Sequence, residues 1–255
     1  MSNIVKGSNP LLNSKIFQTA ASERYNSSGM TVQGTITKTM LVFGILLLSA
    51  FYVWNKFFSS NIPEEAISTI NPLMIGGAIG GFIVAIANVL VPKWSGILTP
   101  IYAIQEGLVL GSISVLFEIL YPGIVFQAVG LTFATFFGML FLYQARIIKV
   151  TEKFRSIIIG ATIGIALFYF VYFILGLFGI NLGLIESSSP LGILFSIVVV
   201  GIAAFNLILD FDFIEKASRY GAPKYMEWYG AFGLMVTLVW LYIEILRLLS
   251  KLRER

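Results

Sequence analysis

The chain has 255 residues, of which 57% are hydrophobic and only 12% charged, and its mean hydropathy is +0.88. Soluble domains carry roughly a quarter charged residues, so most of this chain is built for lipid as its solvent. Cysteine and histidine are both absent, which excludes disulfides, thiolate nucleophiles, Cys/His zinc sites and histidine-based catalysis. The expectation is a protein that is not an enzyme and has no cofactor. The net charge of +4 is spread over loops between apolar runs rather than along one polar face, which argues against nucleic acid as a partner.

In chain order, residues 1–36 form a mostly polar arm with no apolar core near its start, unlike a cleaved secretory leader. Seven apolar stretches follow, each near the ~20 residues that cross about 30 Å of hydrocarbon. They are 37–58, 71–92, 99–121, 123–145, 156–178, 190–214 and 229–249. Turn chemistry separates them: Asn61-Ile62-Pro63, Pro92-Lys93-Trp94-Ser95-Gly96, Tyr121-Pro122-Gly123, Ser187-Ser188-Ser189-Pro190 and Gly221-Ala222-Pro223. The predicted fold is all-α and polytopic: a seven-helix membrane domain over 37–250 and a basic tail at 251–255. Small residues recur at helical spacing, Gly76 with Gly80, Gly77 with Gly81, Gly107 with Gly111 and Gly160 with Gly164, as expected where helices approach closely in lipid. Trp54, Trp94 and Trp228 lie near span ends and are read as interfacial anchors.

Basic residues orient the bundle. The arm and the even-numbered loops hold twelve of them, among them Lys6, Lys15, Arg24, Lys38, Lys93, Arg146, Arg155 and Lys216; the opposite loops hold Glu64, Glu65, Glu118 and Glu186 with only Lys56. The N-terminus is therefore expected on the cytoplasmic side. Seven crossings then put Arg247, Lys251, Arg253 and Arg255 on the outer side, against the rule; the alternative is a re-entrant last helix.

Acids inside the spans carry the chemistry. Glu106 is mid-helix 3, Asp210 and Asp212 are near the inner end of helix 6, and Glu244 is inside helix 7. A charge at the bilayer centre costs at least about 2.5 to 3.5 kcal/mol, so each must face the bundle interior, pair or protonate. Asn206, Asp210 and Phe213 share one helix face; Asp212 falls on another, toward the mouth, where Lys216 is one turn on. Counting from the helix ends puts Asp210 about 14 Å and Glu244 about 16 Å deep, a match in depth. Two such carboxylates would repel and titrate as a unit, which makes them the best pH sensor in a chain without histidine. Glu106 is expected in the same cavity; a local hydrogen bond is the alternative.

Several segments together resemble the Bax inhibitor-1 (transmembrane BAX inhibitor motif) family, in its bacterial branch. They are Asn9-Pro10, Met30-Thr31-Val32, Pro100-Ile101-Tyr102-Ala103-Ile104-Gln105-Glu106-Gly107, Leu209-Asp210-Phe211-Asp212-Phe213-Ile214-Glu215 and Trp240-Leu241-Tyr242-Ile243-Glu244-Ile245-Leu246-Arg247. The resemblance implies seven helices with helix 7 central, and a pH-dependent calcium leak gated by one acid on each of helices 6 and 7, here Asp210 and Glu244. These are also the candidate calcium contacts. Glutamate stands at the second position where many relatives have aspartate. A basic residue that in some relatives latches the helix 6 acid from helix 2 has no counterpart; Asn88 is the polar residue there, and Arg247 is a substitute on helix 7. The partners implied are the lipid bilayer, calcium ions as transported cargo and, in a rival reading, a membrane protease or stress pathway that the protein regulates without transport. A proton-coupled transporter is the other rival. The expected location is the bacterial inner membrane.

Overall fold

The computed structural model describes residues 29–59, 63–179 and 188–254; Asn9-Pro10, Asn61-Ile62 and Glu186 lie outside the described residues. The described chain is helical: α1 Val32–Phe58, α2 Pro63–Leu90, α3 Ser95–Leu120 after a 3-10 turn at Pro92–Trp94, α4 Ile124–Gln144, α5 Glu152–Leu177, α6 Pro190–Arg219 and α7 Met226–Arg253. Among the described residues seven helices are long and apolar enough to cross a membrane, α2 over Ile70–Leu90. The all-α, seven-span reading is thus met. Six helices, all but α4, run several residues past an apolar stretch at one end or both, because polar turns continue the backbone bonding of the apolar segment into the headgroup region. Thus α1 starts at Val32, inside the stretch read as an arm, α6 runs on to Arg219, and α7 spans 226–253 rather than 229–249.

Caps define the starts. Thr31, in extended backbone, accepts a bond from the Gly34 amide at 2.9 Å, and Thr151 accepts one from Phe154 at 3.2 Å. Each satisfies an amide that the helix itself cannot. Gly123 takes φ of 80° just ahead of α4, where a side chain would be strained.

The chain divides into two compact units. Of the described residues, one comprises those up to 122 and 214–236, so α1, α2, α3, the end of α6 and the start of α7; the other has those from 123 to 213 and from 237 on, so α4, α5 and the remaining parts of α6 and α7.

In the first unit the glycines at helical spacing make close contacts. A Cβ on Gly107 would overlap the Leu46 carbonyl of α1, and one on Gly111 would lie 2.7 Å from the Ala50 carbonyl. Gly77 approaches the Gln105 carbonyl of α3, at 2.9 Å from where its Cβ would stand, and Gly80 lies under the Gln105 side chain. Contact this close favours association where lipid removes the hydrophobic drive between helices. Gly76, Gly160 and Gly164 face open space. The face expected to pack at Gly160 and Gly164 therefore packs against nothing described, and α5 leaves most of its surface to lipid, with Ile157, Ile163, Leu167 and Phe170 all exposed.

Candidate site: buried acids and their partners

In the second unit, α6 and α7 are antiparallel, and two contacts fix their register. Thr237 donates to Asp210 Oδ2 at 2.6 Å, and Lys251 donates to Ser196 Oγ at 2.8 Å. Fourteen residues separate both Thr237 from Lys251 and Ser196 from Asp210, so the two helices stay in step over four turns. Glu244, midway on α7, lies level with Ala203, about 10 Å along the axis from Asp210 at 1.5 Å per residue. The equal depth expected for Asp210 and Glu244 is replaced by an offset of two turns. Counting from helix ends failed because α7 begins at Met226 and ends at Arg253, beyond its apolar run.

Both acids are buried, Asp210 1% and Glu244 2% exposed. Asn206 and Phe213 are buried on the Asp210 face, as the helical spacing requires. Asn206 donates to Thr162 Oγ1 of α5 at 2.8 Å and to its own Ile202 carbonyl at 2.9 Å.

Glu244 sits in a three-member cluster. Tyr169 of α5 donates its hydroxyl to the carboxylate at 2.9 Å, and Arg247 donates Nη1 to Glu244 Oε1 and to the Tyr169 oxygen, each at 2.8 Å. The guanidinium also lies 5.2 Å from the Tyr169 ring centroid. Arg247 thus holds the helix 7 acid to α5 by a charge-assisted bond of the stronger kind.

Asp212 accepts from Arg155 Nη2 at 2.6 Å, and the same guanidinium binds Glu152 at 2.9 Å. Arg155 is 3% and Asp212 8% exposed, so this ion pair is buried rather than a solvated helix-end charge. Arg155 stands in the first turn of α5 rather than in the loop before it.

The other candidates belong to the first unit. Glu106 is half-buried, hydrogen-bonded to Tyr102 one turn earlier, with its Oε2 against Gly81 of α2. Asn88 is fully buried and its amide is engaged: it donates to Thr99 Oγ1 at 3.1 Å and accepts from Ser95 at 2.6 Å.

Four participants were not singled out by sequence reasoning. Tyr169 lies in an aromatic run of α5, Arg155 and Lys251 were counted as orientation charges, and Glu227 follows the loop before α7. Lys251 is 2% exposed, with the Gly192 carbonyl at 3.0 Å as a second acceptor. Glu227 is fully buried: it accepts from the Thr31 amide and hydroxyl, both at 2.9 Å, and pairs with Lys38 and Lys224. Among the described residues no three acids converge as a metal cage would require, so a cation at Asp210 or Glu244 would draw on hydroxyls and carbonyls as well.

Comparison with the curated proteins and with the solved structures gave no match. The family model described as Bax inhibitor 1 like matches residues 9–254, nearly the whole chain and every acid described above, and the chain belongs to that family.

Proposed function

We propose that this integral membrane protein is a pH-dependent calcium leak channel whose response is set by Asp210 and Glu244. The observation that carries the reading is the burial of two carboxylates inside helices long enough to span, each with hydroxyl or guanidinium partners that can exchange for a cation. Calcium prefers such oxygens, and a few interior acids make a site weak enough to release its ion. The two acids lie two turns apart, about 10 Å along the helix axis. Asp212, Asn206 and Arg247 support the pair.

The decisive experiment is calcium flux against pH for the purified chain in liposomes. Asp210→Asn or Glu244→Gln should flatten the pH dependence, and the double change should add little to either. Parental pH profiles in both single variants would return the acids to a structural role. A regulator of a membrane protease or stress response without transport would give no flux at any pH. The location proposed with this reading is the bacterial inner membrane with a cytoplasmic N-terminus; a reporter at residue 1 should read as cytoplasmic and one in the Glu186 loop as external.

A further inference from the structure

On α5, Arg155, Thr162 and Tyr169 recur every seven residues, two turns apart, and so lie on one helix face. Each reaches a polar group of α6 or α7: Arg155 binds Asp212, Thr162 binds Asn206, and Tyr169 binds Glu244. From 155 to 169 this face covers about 21 Å, most of the ~30 Å hydrocarbon thickness. The neighbouring positions Ile157, Ile163, Leu167 and Phe170 are exposed hydrophobics. A helix that presents apolar side chains outward and an arginine, a threonine and a tyrosine inward has the pattern of a wall beside water, because ionisable groups within spans face an interior or a wet cavity. Hydrogen bonds of this kind also hold helices together in lipid, and labelling from water separates that role from a wet route.

We propose that the Arg155–Thr162–Tyr169 face of α5 lines the ion pathway, so that a cation travels along α5 and meets Asp212, Asn206 and Glu244 in turn. The proposal rests on the leak reading for its cargo. It adds the route and assigns lining roles to Thr162 and Tyr169, neither of which bears a charge.

The chain's lack of cysteine makes the test direct. Thr162→Cys, Tyr169→Cys and the lipid-facing control Ile163→Cys are placed separately in the full chain. In liposomes each is treated with a quaternary-ammonium methanethiosulfonate, a charged reagent that lipid excludes, at the pH of greatest calcium flux. Labelling is read by mass shift and flux is recorded in parallel. The expected result is that the thiols at 162 and 169 label more than about tenfold faster than the one at 163, since tenfold corresponds to only 1.4 kcal/mol of exclusion. Should either pathway variant fail to fold, the other carries the comparison, and Thr162→Val, which keeps the shape and removes the hydroxyl, should lower flux. Equal, slow labelling at all three positions with flux intact would overturn the route and leave the leak standing. Fast labelling at 162 and 169 without any flux would support a wet seam and overturn the leak.

Discussion

Asp210 and Thr237 face each other across α6 and α7 with a hydroxyl-to-carboxylate bond of 2.6 Å, both side chains being buried. That bond sets the register in which Glu244 lies two turns further along. Hydrogen bonds to charged groups contribute about 1.5 to 3 kcal/mol. Thr237→Val keeps the shape and removes the donor, and should lower the thermal midpoint in detergent while shifting the pH profile of flux. Thr237→Ser should restore both. An unchanged midpoint in the valine variant would show that the bond does not hold the register.

The Arg155–Asp212 pair makes a prediction about sign. Removing one partner of a buried pair leaves an uncompensated charge and costs about 3 to 5 kcal/mol, whereas removing both costs far less. Arg155→Gln should therefore melt well below the parent, and adding Asp212→Asn should recover much of the loss. Additive losses in the double variant would mean that the two residues act independently.

Glycines separate into two classes, which alanine substitution can distinguish. At Gly111 a methyl would meet the Ala50 carbonyl of α1, while Gly160 and Gly164 have nothing within 4 Å. Gly111→Ala should destabilise the fold by forcing α1 and α3 apart. Gly160→Ala should be neutral or stabilising by up to about 1 kcal/mol, the helix propensity gained. Thermal melts of the two variants side by side decide it.

Gly34 and Glu227 form a third relationship open to test. A methyl on Gly34 would overlap the Glu227 carboxylate. Gly34→Ala should thus reproduce the destabilisation of Glu227→Gln, and the double variant should be little worse than either. Additive effects would place Gly34 outside the Glu227 cluster.

Helix number and type were legible because runs near twenty apolar residues leave lipid-spanning helices as the way to satisfy the backbone. The inward setting of Asp210 was legible too, since Asn206, Asp210 and Phe213 repeat at helical spacing. What hydropathy hides is the destination of a polar side chain. Arg155 and Lys251 look like solvated charges because they flank apolar runs, yet both are buried against residues more than fifty positions away. Tyr169 is one tyrosine among several aromatic neighbours on α5, and its pairing with Glu244 spans 75 residues. Glu227 lies in the first turn of α7, and nothing local in the sequence points to Thr31, its partner 196 positions away.

The Thr31–Glu227 contact also has a timetable. Its two residues are 196 positions apart, and Met30, at the same end of α1, donates its amide to the Ala222 carbonyl of the loop before α7 at 2.6 Å and accepts from Ser218 in the last turn of α6 at 3.1 Å. At ~5 to 20 residues per second, a ribosome needs roughly 10 to 40 s between making the first residue and the second. Throughout that interval the first helix waits in the bilayer with Lys38 lacking its counter-charge and Thr31 lacking its acceptor. The start of α1 is thus completed only when the start of α7 has been made, and a chain stopped short of Glu227 leaves that end of α1 unfinished.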